Sequence, residues 1–242
     1  MIVSFIDYDL PDAKGAIVIL SGGLDSTIAM RYAVEKYGNK NVFALTFNYG
    51  QKQAAEIDCA SWTTTLLGVG HKIIDASFLG DISQGFSANV DTGMAMPTIE
   101  DVIGDPRPST YVPNRNMILL SIAAAYAETQ KVDVVICGLQ QNDTYNYHDT
   151  TPRFLEKINA VLNENRIIQI KVVSPFINKT KTDEINLLLS MDDGVGLLAH
   201  TLTCYNPDWN GRSCGKCPSC SERLKAFSNV GIKDPVRYVC AR

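Results

Sequence analysis

The sequence predicts an α/β fold, a parallel sheet covered by helices on both faces, with a cysteine knuckle at its C-terminal end. Three observations carry that prediction. Short β-branched runs alternate with amphipathic stretches along most of the chain. The first run breaks at a Gly-Gly pair directly ahead of a helical pattern. Four of the seven cysteines fall between Cys204 and Cys220. With 242 residues and 45% hydrophobic content, the chain is long enough to bury one full core with a small appendage.

Taken in order, Ala16–Leu20 reads as a buried strand ending at Gly22-Gly23. Ser26–Tyr37 carries apolar residues at Ile28, Ala29, Ala33 and Val34 and closes at Gly38, a helix with its stop signal. Val42–Phe47 is a second strand, Gln53–Leu67 a second helix ended by Gly68, and a third strand begins at His71. A helix from Asn116 to Thr129, a strand at Val132–Cys137 and a helix from Pro152 to Asn163 follow. A strand at Ile168–Val173 and a helix at Thr182–Ser190 complete the pattern. Strands alternating with helices give a parallel sheet, whose ligands sit at the carboxyl ends of the strands. Between Ser83 and Pro113 there is little periodicity and four prolines, which reads as a long loop: a lid, a partner contact or a disordered segment.

Charge narrows the function classes. The chain has 22 basic against 26 acidic side chains, a balance that argues against a protein built to hold nucleic acid. From His200 onward there are seven Lys/Arg and three Asp/Glu, a local net of +4 that reads as a solvated basic face. No stretch reaches the roughly 18 apolar residues that span a bilayer. The first residues carry three acids and no basic start, unlike a secretory signal. Cys59, Cys137 and Cys240 stand apart from the cluster, which suits reduced thiols in the cytoplasm and a metal site rather than a disulfide framework.

The segment Ser21-Gly22-Gly23-Leu24-Asp25-Ser26 lies between the first strand and the first helix. Its glycines allow a tight turn with amides pointing inward, and the helix N-terminus adds partial positive charge, a site for a polyphosphate. Ser21 and Ser26 supply hydroxyls, and Asp25 suits a metal bridge or an orienting role. No Gly-Lys-Ser/Thr follows and no G-x-G-x-x-G is present, which excludes a Walker loop and weakens a dinucleotide fingerprint. Cys204, Cys214, Cys217 and Cys220 form C-x9-C-x2-C-x2-C. Such spacers let four thiolates converge on one ion, so a closed, structural zinc site is expected, with an iron–sulfur cluster as the rival.

SGGLDS after a buried strand resembles the signature of the PP-loop ATP pyrophosphatases, which cleave ATP between its α and β phosphates. That resemblance implies a Rossmann-like, adenine nucleotide alpha hydrolase-like sheet and an ATP site with Mg²⁺ on Leu20, Ser21, Gly22, Gly23, Leu24, Asp25, Ser26, Thr27, Thr46 and Phe47. Paired with the cysteine cluster, with Phe47-Asn48-Tyr49-Gly50-Gln51, Tyr111-Val112-Pro113-Asn114-Arg115-Asn116, Thr201-Leu202-Thr203-Cys204-Tyr205 and Asp234-Pro235, the chain closely resembles the 7-cyano-7-deazaguanine synthase family. The resemblance implies adenylylation of 7-carboxy-7-deazaguanine, attack by ammonia to give an amide, and a second activation that dehydrates it to a nitrile. It further implies catalytic roles for Ser21, Asp25, Ser26, Arg115 and Lys181, and substrate contacts at Tyr49, Gln51, Arg115, Asn116, Asp143, Tyr147 and Asp149. A homodimer is implied too, without membrane or stable nucleic-acid contact.

Departures cluster on the acceptor side. His148, Thr150 and Thr151 stand where the family usually has proline, cysteine and arginine, Asn114 replaces a usual glycine, and Gln51-Lys52-Gln53 replaces a more usual Gln-Arg-His. An alternative follows: a relative that gives the activated acid to another amine, such as a protein N-terminus, as in anti-phage defence. A tRNA-thiolating relative is opposed by charge and cysteine spacing. The expected organisation is an N-terminal extension at 1–14, carrying Ile2, Phe5 and Ile6 as an edge strand or partner contact, an ATP-binding domain at 15–199, and a zinc-binding region at 200–242.

Overall fold

The computed structural model describes residues 10–102, 105, 107–140, 147–165, 167–191 and 194–239. Five strands form one parallel sheet in the order β3-β2-β1-β4-β5: β1 (Ala16–Ile19), β2 (Val42–Asn48), β3 (Gly70–Asp75), β4 (Val134–Ile136) and β5 (Lys171–Val173). The central strand β1 pairs with both β2 and β4, Ala16 lying opposite Val42 and Val134. The chain grows outward through β2 and β3, then returns to the other side of β1 for β4 and β5. This reversal opens a crevice between the carboxyl ends of β1 and β4.

Side-chain alternation along the strands supplies both cores. Ala16 and Val18 point to one face and Ile17 to the other. In β4, Val134 and Ile136 oppose Val135 in the same way. The first face is covered by α1 (Leu24–Tyr37), α7 (Lys181–Leu189) and α9 (Pro218–Val230), through Ile28, Leu188 and Phe227 among others. The second is covered by α5 (Arg115–Gln130) and α6 (Pro152–Leu162), through Leu120, Ala123 and Leu155. Parallel strands buried on both faces need such a double layer.

The expected elements are present with shifted ends. The second helix, α2 (Glu56–Leu67), starts three residues later than the pattern suggests because 53–55 form a turn, Glu56 N–H donating to Gln53 O at 2.8 Å. The fifth strand keeps only Lys171–Val173 of the expected run. Short helices α3 (Ser77–Ile82), α4 (Ile99–Val102) and α8 (Gly194–Ala199), and the longer α9, go beyond the sequence reading. α9 nevertheless carries ordinary boundary signals, Pro218 in its first turn and Gly231 in the left-handed conformation (φ 80°) after its end.

The described residues of the aperiodic stretch between Ser83 and Pro113 pack at the carboxyl end of the sheet, where Asn89, Thr110, Tyr111 and Val112 line a cavity. Ala88 N–H donates to Ser109 O at 2.7 Å, Lys52 N–H to Asn89 O at 2.9 Å, and Asn89 Nδ2 to Thr110 O at 2.7 Å. Hydrogen bonds between segments, rather than periodic burial, hold it. The edge strand expected at Ile2, Phe5 and Ile6 lies outside the described residues. Leu10, just beyond it, is buried, and Tyr37 Oη donates to Pro11 O at 2.7 Å. Among the described residues no helix is long and apolar enough to cross a membrane.

Candidate active site

The turn after β1 is built from glycine constraints and serine hydroxyls. Gly22 has φ 93°, and a Cβ there would fall 1.9 Å from Glu56 O, so the loop can pass the start of α2 only without a side chain. Ser21 Oγ accepts from Gly23 N–H at 3.1 Å and lies 3.1 Å from Ser26 Oγ, which accepts from Ser21 N–H at 3.2 Å. Leu24 N–H donates to Thr203 Oγ1 at 3.3 Å. Gly138, after β4, approaches the same helix start so closely that a Cβ would come 3.0 Å from Ser26 N. The result is a ring of amides and hydroxyls at the N-terminus of α1, the arrangement that receives a phosphate.

Lys181 begins α7 behind a Thr180–Asp183 capping box and is almost fully buried. Its Nζ donates to both oxygens of Asp25, at 2.7 and 2.8 Å. Glu222 of α9 lines the same cavity. Burial pushes its carboxyl above the usual range, with Lys181 partly opposing and Asp25 reinforcing the rise.

Across the cavity, Arg115 opens α5 just after Asn114, whose left-handed backbone (φ 52°) makes the turn its asparagine tolerates. The guanidinium reaches Tyr49 Oη at 3.4 Å and Asn116 Oδ1 at 3.2 Å. Burial works against its charge, but Tyr49 and Asp149 outweigh that and hold the proton more firmly. Asn116 Nδ2 donates to Asp149 O at 3.1 Å, and Tyr147 Oη bonds Thr110 Oγ1.

Leu20, Ser21, Gly23, Asp25, Ser26, Phe47, Tyr49, Arg115, Asn116, Tyr147, Asp149 and Lys181 thus line one cavity of about 250 Å³ at the switch point of the sheet. Gly22, Leu24, Thr27, Thr46 and Gln51 stand behind that lining. Thr46 Oγ1 donates to Leu20 O at 2.6 Å, a brace between β2 and β1. Gln51 braces the turn after β2, Nε2 donating to Phe47 O and Oε1 accepting from Tyr49 N–H. Asp143 lies outside the described residues. Of the departures, Thr150 lines the cavity, Thr151 caps α6 through Phe154 N–H at 3.1 Å, and His148 turns to Tyr111.

Gln53, Glu56, Asn89, Thr203, Tyr205 and Glu222 also line the cavity, though the sequence reading gave them no site role. Glu56 is buried, and that burial lifts its carboxyl from 4.5 to about 8 against the opposing pull of Gln51 and Arg115. Spacing places Gln53 and Glu56 one turn apart at the start of α2, but only the fold aims that turn at the crevice.

The four cysteine sulfurs lie within 4.8 Å of one another, among buried or half-buried side chains. Zn–S bonds of about 2.3 Å put tetrahedral sulfurs nearly 4 Å apart, so the cluster is close to the size of a single-ion site. Backbone N–H groups of Asn206, Cys214 and Cys217 donate to Cys204 and Cys214 sulfurs at 3.2–3.3 Å, as thiolate ligands require. A cubane cluster holds its cysteines further apart. The knuckle is tied to the crevice through Arg223, whose buried guanidinium binds Asp234 (2.7 and 3.0 Å), Thr201 (2.7 Å) and Thr203 (3.0 Å).

Comparison with known proteins decides the family. Residues 15–231 match the profile of queuosine biosynthesis protein QueC. The chain belongs to the QueC family. A 7-cyano-7-deazaguanine synthase from Marinomonas sp. is 37% identical over 93% of this chain and 99% of its own length. The 7-cyano-7-deazaguanine synthase 1 of Colwellia psychrerythraea is 38% identical over 93% and 99%. Among solved structures, the U34-tRNA thiolase NcsA of Methanococcus maripaludis, with its [4Fe-4S] cluster, aligns over 98% of this chain and 78% of its own with TM-score 0.50 at 17% identity, a likeness of fold. QueC family membership places the SGGLDS turn of this chain in the PP-loop class of ATP-using enzymes.

Proposed function

We propose that the chain is an ATP-dependent 7-cyano-7-deazaguanine synthase, a carbon–nitrogen ligase that releases AMP and pyrophosphate. The observation that carries this reading is the single cavity in which the serine-lined turn at the start of α1 faces Arg115. A carboxylate oxygen of 7-carboxy-7-deazaguanine attacks the α-phosphorus of ATP, and the bond to the β-phosphate breaks. Charge accumulates on departing pyrophosphate, where Ser21, Ser26 and the amides of the turn are preorganised to receive it. Arg115 presents a planar fork suited to the acid's oxyanion. Ammonia then displaces AMP to give the amide, and a second adenylylation makes the amide oxygen a leaving group, so that loss of AMP yields the nitrile.

Asp25 takes the orienting role in this reading, because both of its oxygens engage Lys181 and fix that ammonium at the mouth of the phosphate turn. Mg²⁺ bound with the nucleotide would supply charge neutralisation at its phosphate oxygens, beside the Asp25 carboxylate and the Ser21 and Ser26 hydroxyls. The cysteine site suits zinc: four convergent thiolates with no open position, a structural role for the 200–242 region. The test incubates purified protein with ATP, ammonium and 7-carboxy-7-deazaguanine and follows products by mass spectrometry. AMP and the nitrile are expected, with Ser26→Ala lowering turnover roughly 10²–10³-fold, the usual cost of one preorganised oxyanion donor. ADP as the nucleotide product rules the reading out.

A further inference from the structure

One wall of the cavity carries two buried side-chain oxygens with no donor among the described residues, beside a carboxyl held only by Gln51 Nε2 at 3.4 Å. Gln53 and Asn89 are more than nine-tenths buried, yet Gln53 Oε1 and Asn89 Oδ1 have no donor among the described residues. Both side chains line the cavity, as does Glu56. They belong together: Glu56 N–H bonds Gln53 O within one turn, and the backbone of Asn89 is held against that turn through Lys52 N–H. Asn89 cannot rotate its amide to hide the oxygen, because its Nδ2 is committed to Thr110 O at 2.7 Å. A buried carbonyl oxygen without a donor costs free energy that folded proteins rarely concede, so such groups point to a ligand that brings donors.

We propose that Gln53, Glu56 and Asn89 form an acceptor wall that reads the N–H edge of the substrate base, the ring N–H and adjacent exocyclic amine of a 2-amino-4-oxo bicycle. The inference deepens the proposed function and rests on it. It places base recognition at the start of α2 and in the loop after α3, on segments to which the sequence reading assigns no such task. Three acceptors match three N–H bonds on one edge of such a base. Burial raises the Glu56 carboxyl to about 8, and N–H donors on that edge favour its charged form, so binding releases its proton to solvent and recognition couples to ionisation. A site built this way rejects a base lacking the amine, because the acceptors are then left unpaired.

The experiment compares adenylylation of 7-carboxy-7-deazaguanine with that of its analogue lacking the 2-amino group, in wild type, Gln53→Met and Asn89→Leu. Wild type is expected to prefer the amino compound by on the order of 100-fold or more in kcat/KM, and each variant to cut that ratio roughly tenfold with KM for ATP unchanged. Gln53→Met is near-isosteric, and melting temperature verifies its fold independently of Asn89→Leu. Equal losses on both compounds in a folded Gln53→Met enzyme overturn the wall alone, as does a wild type indifferent to the amine. A wild type that forms AMP with neither compound overturns the wall together with the function it rests on.

Discussion

Glu56 shows how a single side chain acquires chemistry from its surroundings. Its carboxyl faces Arg115 across the cavity and Cys59 on its own helix, and burial still dominates, raising the folded-state value from 4.5 to about 8. The folded chain therefore holds this proton more tightly than the unfolded one. The stability it contributes is complete below 4.5 and is lost as pH rises through about 8, at roughly 1.4 kcal/mol per unit. Glu56→Gln is expected to flatten the decline of melting temperature across that window and to be the more stable protein above it; parallel curves for the two proteins would refute the assignment. The sequence shows a glutamate three residues after Gln53 and nothing of this environment, because desolvation comes from segments far along the chain.

At the scale of elements, the phosphate turn depends on the approach of α2 as much as on its own residues. Gly22 combines a left-handed backbone with a contact on Glu56 O that admits no Cβ. Gly22→Ala must either displace the turn or push back the start of α2, at about 1–3 kcal/mol for the backbone conformation alone. The expected result is a lower melting temperature together with a several-fold higher KM for ATP; a change in one without the other would separate the turn from the helix. The two glycines were legible in the sequence as a turn. The reason that the first admits no other residue was not, since it is a neighbour 34 positions later that excludes the side chain.

Across the whole molecule, the cysteine knuckle reaches the active site through one buried network. Arg223 links Asp234 behind the knuckle to Thr203, and Thr203 Oγ1 accepts from Leu24 N–H at the phosphate turn. Thr203 and Cys204 are chain neighbours, so a metal that fixes Cys204 also fixes a wall of the cavity. Cys217→Ala is expected to lose the bound metal and to lower stability, toward the roughly 10 kcal/mol that small zinc sites derive from the ion. Elemental analysis and thermal unfolding check this: one zinc per chain in wild type and none in the variant, with a depressed melting temperature. Zinc retained at an unchanged melting temperature would contradict the site.

What the sequence by itself determined is whatever local spacing can encode. Alternating β-branched and amphipathic runs fix a double-layered parallel sheet, because each element has to bury a periodic face. SGGLDS fixes a tight turn with hydroxyls ahead of a helix inside six residues, and two-residue spacers bring Cys214, Cys217 and Cys220 together. Only the tertiary structure decided which distant groups meet. Asp25 and Lys181 are 156 residues apart, and their ion pair exists because α1 and α7 pack on the same face of the sheet. The aperiodic loop became a cavity wall for the same reason. Its buried polar atoms are satisfied, or left waiting for a ligand, by partners from other segments, and hydrogen bonding between distant segments leaves no period for a sequence to display.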